Sequence, residues 1–231
     1  MQIEEKRVII DCTWFSAERE VTRNKGLHLS HVIDFIETAG APKEKDQRND
    51  SLHNYAAGGF LWERVLDKTI HLPPEELFEW MFTQALFEVD NPKVVRPGEL
   101  SIPICDCPNC EGVEGLDCPR CNGTGVVKMY MTPDGYNIED ECLEEWKYTN
   151  KSARNPITSP KFSRWLQYQI PAYLKALDLT QCRLRVYFAR GDYTTGEPMW
   201  MEFLLTYTRQ EIDEAWEMIR NNAEYIIQNK L

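Results

Sequence analysis

The sequence predicts an α/β fold, a mixed central sheet flanked by helices with one small hairpin inserted in it. Three observations predict this. Segments with strand alternation and segments with helical spacing are interleaved along the chain, the order expected of layered α/β architectures. Arg183 to Ala189 alternates cleanly, with Leu184, Val186 and Phe188 on one face and Arg183, Arg185 and Tyr187 on the other. Two Cys-x-x-Cys pairs interrupt residues 94–131, which are strand-like at both ends. A length of 231 residues fits one domain, 1–231, with the hairpin at 105–125 inserted in it.

Arg7 to Cys12 reads as a short strand and Leu29 to Glu37 as a helix, with Ser30 available as its N-cap. Residues 38–52 are polar and turn-rich and read as a loop. Tyr55 to Ile70 carries Phe60, Leu61, Val65 and Leu66 at helical spacing, Pro73-Pro74 breaks the pattern, and Glu75 to Val89 resumes it. Glu141 to Tyr148 reads as a strand paired with Val126 to Met131 across a turn at Pro133-Asp134-Gly135. Ser159-Pro160 opens a helix with a cap and a proline at its first position, running to about Leu177 with a kink at Pro171. Met199 to Tyr207 is a further strand, and Thr208-Arg209-Gln210-Glu211 is a capping box opening the last helix.

Composition is that of a globular chain, and no apolar run approaches the roughly 18 residues of a membrane span. The N-terminal segment is acidic and lacks an export signal, so the expected location is cytoplasmic. A net charge of −11 argues against a nucleic-acid partner, but its distribution argues for one. Residues 147–190 hold nine Lys or Arg against one acid, Asp178. Lys151, Arg154, Lys161 and Arg164 in this stretch are candidate phosphate contacts.

The chemistry-bearing segment is Pro133-Asp134, ten intervening residues, then Glu145-Trp146-Lys147. Phosphodiester hydrolysis needs a divalent ion, and hard ions such as Mg²⁺ or Mn²⁺ take carboxylate oxygens. Asp134 and Glu145 supply them, and the backbone carbonyl of Trp146 is a further donor. Strand alternation places Lys147 on the same face as Glu145, where its ammonium meets charge growing on the phosphate. Glu63, four residues after Gly59 in a helical segment, is a third acid.

These residues resemble the PD-(D/E)XK nuclease superfamily, in its RecB-like and phage-type exonuclease branches. Gly59-Phe-Leu-Trp-Glu63 stands upstream and Gln169-Ile-Pro-Ala-Tyr173 downstream, in the order of those enzymes. The resemblance implies a restriction-endonuclease-like core, with Glu63, Asp134 and Glu145 as metal ligands, Lys147 as the catalytic lysine, and Gln169 and Tyr173 as active-site or DNA-contacting residues. Glu63 stands where many relatives have His, and Pro171 falls inside the Gln-x-x-x-Tyr motif.

Cys107-Pro-Asn-Cys110, seven residues, then Cys118-Pro-Arg-Cys121 is a zinc pattern in which each pair aims two thiolates at one point. It resembles the repeats of DnaJ-type cysteine-rich domains, and a closed four-thiolate site of this kind is structural. The iron–sulfur arrangement of some RecB-like enzymes is absent, since Cys12 lies upstream and only Cys142 and Cys182 lie late.

The expectation is therefore a Mg²⁺- or Mn²⁺-dependent deoxyribonuclease, in its preferred version an exonuclease of recombination, repair or replication, with a structural zinc. A phage source would place it in the host cytoplasm. Its partner is double- or single-stranded DNA; a homo-oligomer or a recombination or replication protein is compatible, and a membrane is not expected. The alternative is a catalytically inactive nuclease-fold protein whose zinc hairpin binds nucleic acid or protein.

Overall fold

The computed structural model describes residues 1–8, 26–37, 94–95, 97–149, 151–188, 192, 194 and 199–229. Glu63, the helices expected over Tyr55–Ile70 and Glu75–Val89, and the loop 38–52 lie outside the described residues. The described elements are β1 Gln2–Val8, β2 Leu27–His28, α1 Leu29–Glu37, β3 Val94–Val95, β4 Leu100–Asp106, β5 Val126–Met131, β6 Gly135–Asn137 and β7 Cys142–Thr149. A 3-10 turn Pro160–Phe162, a π-helix Arg164–Gln169, α2 Ile170–Leu177, β8 Gln181–Phe188, β9 Met199–Thr206 and α3 Arg209–Asn229 follow.

The chain is mixed α/β with two mixed sheets. The larger has six strands in the order β1-β9-β8-β7-β6-β3, with β7 and β8 parallel. The smaller has the order β2-β5-β4, with β2 and β5 parallel. A parallel pair needs a crossover, and the helical segment 160–177 supplies it between β7 and β8. The alternation read in β8 is present: Leu184, Val186 and Phe188 are buried. They share one core with Ile170, Ala172 and Leu174 of α2 and Ile219 and Ala223 of α3. Burying such side chains, about 1.5–3 kcal/mol each, holds the helical layer to that face. Among the described residues no helix is long and apolar enough to cross a membrane.

Several local expectations are corrected. The first strand begins at Gln2, earlier than the expected Arg7, and is described to Val8; the remainder of the expected Arg7–Cys12 strand lies outside the described residues. Ser30 is not the cap of α1; it lies inside the helix, because β2 hands over directly at Leu29. His28 precedes the helix instead, and its N–H donates to His31 Nδ1 at 3.5 Å, half of a capping box.

The larger correction concerns the hairpin. Val126–Met131 does not pair with Cys142–Thr149; β5 pairs with β4 and β2 in the smaller sheet, and β7 pairs with β6 and β8. The turn is at 138–141, where Asn137 Oδ1 accepts the N–H groups of Glu139 and Asp140, both at 3.1 Å. Pro133 has no N–H to continue a ladder, and Thr132–Asp134 becomes the link by which the chain leaves one sheet for the other.

Ser159 makes no side-chain cap bond, although Pro160 does take the first helical position. Pro171 is accommodated by a change of helix type rather than by a broken α-helix. Residues 164–169 form a π-helix, Ile170 N–H bonds back to Trp165 C=O, and Pro171 falls in the first turn of α2, where a missing N–H costs little. The capping box at Thr208 forms: its N–H donates to Glu211 Oε2 at 2.9 Å, and Glu211 N–H returns to Thr208 Oγ1 at 3.2 Å.

Candidate active site and four-cysteine centre

Glu145 and Lys147 stand two residues apart on β7 and face the helical layer, as strand alternation requires. Lys147 Nζ lies 2.9 Å from Glu145 Oε2 and 3.5 Å from Asp134 Oδ2. Asp134 reaches them from the inter-sheet link, and its backbone N–H donates to Glu145 Oε1 at 3.0 Å. Glu145 is 0% exposed and Lys147 5%. Burial first, and the Asp134 carboxylate second, push the Glu145 carboxyl up to about 8 against the pull of Lys147.

The crossover helix brings in the downstream motif. Gln169 Nε2 donates to Tyr173 OH at 2.9 Å, so the change of helix type at Pro171 leaves the two side chains adjacent. Tyr173 is buried, and burial followed by the Glu145 carboxylate raises its hydroxyl well above the usual tyrosine range. Trp146 lies between Glu145 and Lys147 on β7, opposite Arg185 of β8.

Glu144 faces the other way, into a buried ion network. It is 0% exposed and is held by Arg183 and by Arg185, whose NH1 lies 2.8 Å from its Oε2. Arg185 Nε also reaches Glu202 Oε2 at 2.8 Å, and Lys6 Nζ meets Glu202 Oε1 at 2.6 Å. The network thus spans four neighbouring strands, β7, β8, β9 and β1. Burial raises the Glu144 carboxyl, and the two guanidiniums oppose that. The signal was in the sequence, since alternation places Arg183 and Arg185 on one face, but it did not say which acids they meet.

Much of the basic stretch is answered by acids from elsewhere in the chain. Arg164 NH1 binds Asp34 at 2.6 Å and Glu37 at 2.9 Å on α1. Lys175 binds Asp213 at 2.6 Å on α3. Arg154, 65% exposed, contacts Asp192 at 3.2 Å and Thr194. Lys151 Nζ stands 5.1 Å from the centroid of the Phe162 ring. The Lys161 side chain lies outside the described residues.

The four cysteines of the β4–β5 connection form a separate centre. Their sulfurs lie within 4.8 Å of one another and all four residues are buried, an arrangement that can hold a metal such as zinc. Cys107 Sγ is 3.7 Å from Cys118 Sγ, and Cys110 Sγ is 3.6 Å from Cys121 Sγ. A tetrahedron with Zn–S bonds of about 2.3 Å has edges of about 3.8 Å, so the spacing suits that ion. Burial raises the Cys121 thiol, yet hydrogen bonds involving Cys110 and the backbone of Gly125 and Gly123 bring it down to about 7. Gly125 is required as glycine: at φ +72°, an added Cβ would lie 2.4 Å from the Gly112 carbonyl oxygen.

Arg120, between the last two cysteines, donates through NH1 to Asn109 Oδ1 of the first cysteine turn at 3.1 Å and through NH2 to the Ile227 carbonyl in the last turn of α3. That turn has no basic residue of its own, so Arg120 supplies the cation a helix C-terminus favours. Nothing in the spacing of the sequence announced this contact across 107 positions.

No family model matches the chain, and no curated protein matches it. The crystal structure of SSO0001 is similar over 88% of this chain and 85% of that one, at 13% identity and a TM-score of 0.43. At that level the likeness carries no argument. What stands is an α/β protein with a buried carboxylate–lysine cluster and a separate four-cysteine centre able to hold a metal.

Proposed function

We propose that this chain hydrolyses phosphodiester bonds of DNA with a divalent cation, Mg²⁺ or Mn²⁺, using the PD-(D/E)XK-type cluster it resembles. One observation carries the proposal: Asp134, from the link between the sheets, and Glu145 and Lys147, from β7, come together within 3.5 Å of the lysine ammonium. The donor chemistry fits a hard cation, whose preferred ligands are carboxylate oxygens. The electrostatics fit too, since Glu145 is buried beside a second carboxylate and a cation relieves that repulsion.

Asp134 and Glu145 would hold the ion, and the chemistry it supplies is neutralisation of the phosphate and activation of water. Lys147 holds its ammonium where negative charge grows on the phosphate oxygens as water attacks phosphorus and the P–O ester bond breaks. Gln169 fixes the ring of Tyr173, whose hydroxyl faces the same cluster and orients the substrate.

The test is direct. The zinc-loaded protein is incubated with linear, nicked and single-stranded DNA in Mg²⁺, in Mn²⁺ and in chelator. Cleavage with either ion and none in chelator is the expected outcome. Intact DNA of all three kinds in both ions would contradict the proposal and favour an inactive binding module.

A further inference from the structure

The hairpin of the four-cysteine centre ends in a surface that no step of the proposed hydrolysis uses. Between the two cysteine pairs, Val113 and Leu116 are 50% and 48% exposed. They are not on a loose loop. Val113 N–H bonds Cys110 C=O at 2.9 Å, Gly115 N–H bonds Gly123 C=O at 2.8 Å, and Cys118 N–H bonds Leu116 C=O at 2.8 Å. Gly112 and Gly115, at φ +77° and +79°, make these bends without strain. Two apolar side chains are therefore displayed on a rigid frame, which lowers the ordering cost of binding.

Charge decides what such a surface can receive. Asp106, Glu111, Glu114 and Asp117 are all exposed around it. Arg120, the only basic residue of 106–125, is held by Asn109 and by the Ile227 carbonyl of α3. With a divalent ion bound, four thiolates would add two further negative charges. A phosphate backbone is repelled by this surface, whereas a cationic segment is attracted to it.

We infer that residues 111–117 are a docking surface for a protein partner, specifically a segment in which Lys or Arg alternates with apolar side chains. The apolar side chains meet Val113 and Leu116, and the cations meet the carboxylates that ring them. The inference stands apart from the hydrolytic reading, since neither needs the other.

The experiment is an amide chemical-shift titration of the full zinc-loaded chain. The probes are a short peptide of alternating Lys and Leu, the same length of alternating Lys and Ser, and a short DNA duplex. The Lys/Leu peptide should give saturable shifts centred on 111–117, weakened by added salt. Val113→Ser with Leu116→Ser should reduce its affinity about tenfold or more, the effect of losing two partly buried apolar contacts. Glu114→Lys, a second surface change, should weaken it as well, and the Lys/Ser peptide should bind less tightly. Zinc content and melting temperature check that both variants fold. Duplex DNA shifting 111–117, or a Lys/Leu peptide that binds the double variant as tightly as the wild type, would overturn the inference.

Discussion

The backbone N–H of Asp134 donates to Glu145 Oε1 at 3.0 Å, tying the link between the two sheets to a central strand of the larger one. This bond sets two acids side by side that the sequence separates by ten residues. It also leaves Glu145 Oε2 turned to Lys147, at 2.9 Å. The cluster therefore depends on how the chain crosses between sheets, not on a hairpin turn.

The position of Glu145 has a pH signature. Burial, then Asp134, raises its carboxyl from 4.5 to about 8, so the folded state keeps a proton that the unfolded chain gives up. The stability this group contributes is complete below about 4.5 and is lost as pH rises to about 8. Urea melts of metal-free protein across this range should show unfolding free energy falling with pH. Glu145→Gln should flatten that fall, and so should Mn²⁺, which takes the proton's place. A flat wild-type curve would show that this carboxyl is ionised throughout.

Behind the cluster, Arg185 bridges Glu144 and Glu202 at 2.8 Å each. Removing it leaves Glu144 buried with half its compensation. Arg185→Ala should cost about 3 kcal/mol, the scale for breaking a buried pair from one side. Arg185→Lys should recover only part of this, because one ammonium does not reproduce the guanidinium fork. Chemical denaturation measures both; a loss below about 1 kcal/mol for Arg185→Ala would mean the network is worth no more than surface pairs.

These two faces of β7 also show what was legible in the sequence. Alternation placed Glu145 and Lys147 on one face, as the structure has them, since the side-chain period of a strand is fixed by its backbone. The capping box at Thr208 and the span Leu29–Glu37 were legible for the same reason, being set by neighbouring residues. The partner of Val126–Met131 was not. An alternating strand states which side is buried, but not which strand lies beside it, and its partner is Leu100–Asp106, farther along the chain than Cys142–Thr149. The π-helix at 164–169 was equally hidden, because Pro171 announces a disturbed helix without saying how the strain is relieved. The basic charge of 147–190 is plain in the sequence, but the acids that meet much of it, Asp34, Glu37, Glu144, Glu202 and Asp213, come from distant segments that only the fold brings near.

The four-cysteine centre should hold about one zinc per chain, a stoichiometry that a tetrathiolate site fixes. Cys118→Ser should abolish that stoichiometry and lower the melting temperature by roughly 6–12 °C, the shift expected for about 3 kcal/mol in a chain of this size. Arg120→Ala should keep the zinc while costing about 1.5–3 kcal/mol, the value of a charged hydrogen bond, here the one to Ile227 in α3. Elemental analysis beside thermal melts separates the two effects. Full stability without zinc would remove the structural role of the centre.

Gln169 acts through Tyr173, to whose hydroxyl it donates at 2.9 Å. Gln169→Ala should slow single-turnover DNA cleavage about tenfold, equivalent to about 1.4 kcal/mol, with melting almost unchanged. Gln169→Glu should not restore the rate, since a carboxylate cannot donate that bond when ionised. An unaltered rate for Gln169→Ala would place Tyr173 outside the reaction.

The most direct measurement of the central claim compares the wild type with Asp134→Ala and Lys147→Ala on end-labelled linear DNA in Mn²⁺. Cleavage by the wild type and a loss of about a hundredfold or more in each variant, with zinc content and melting retained, is the predicted result. Cleavage at the wild-type rate by either well-folded variant would contradict it.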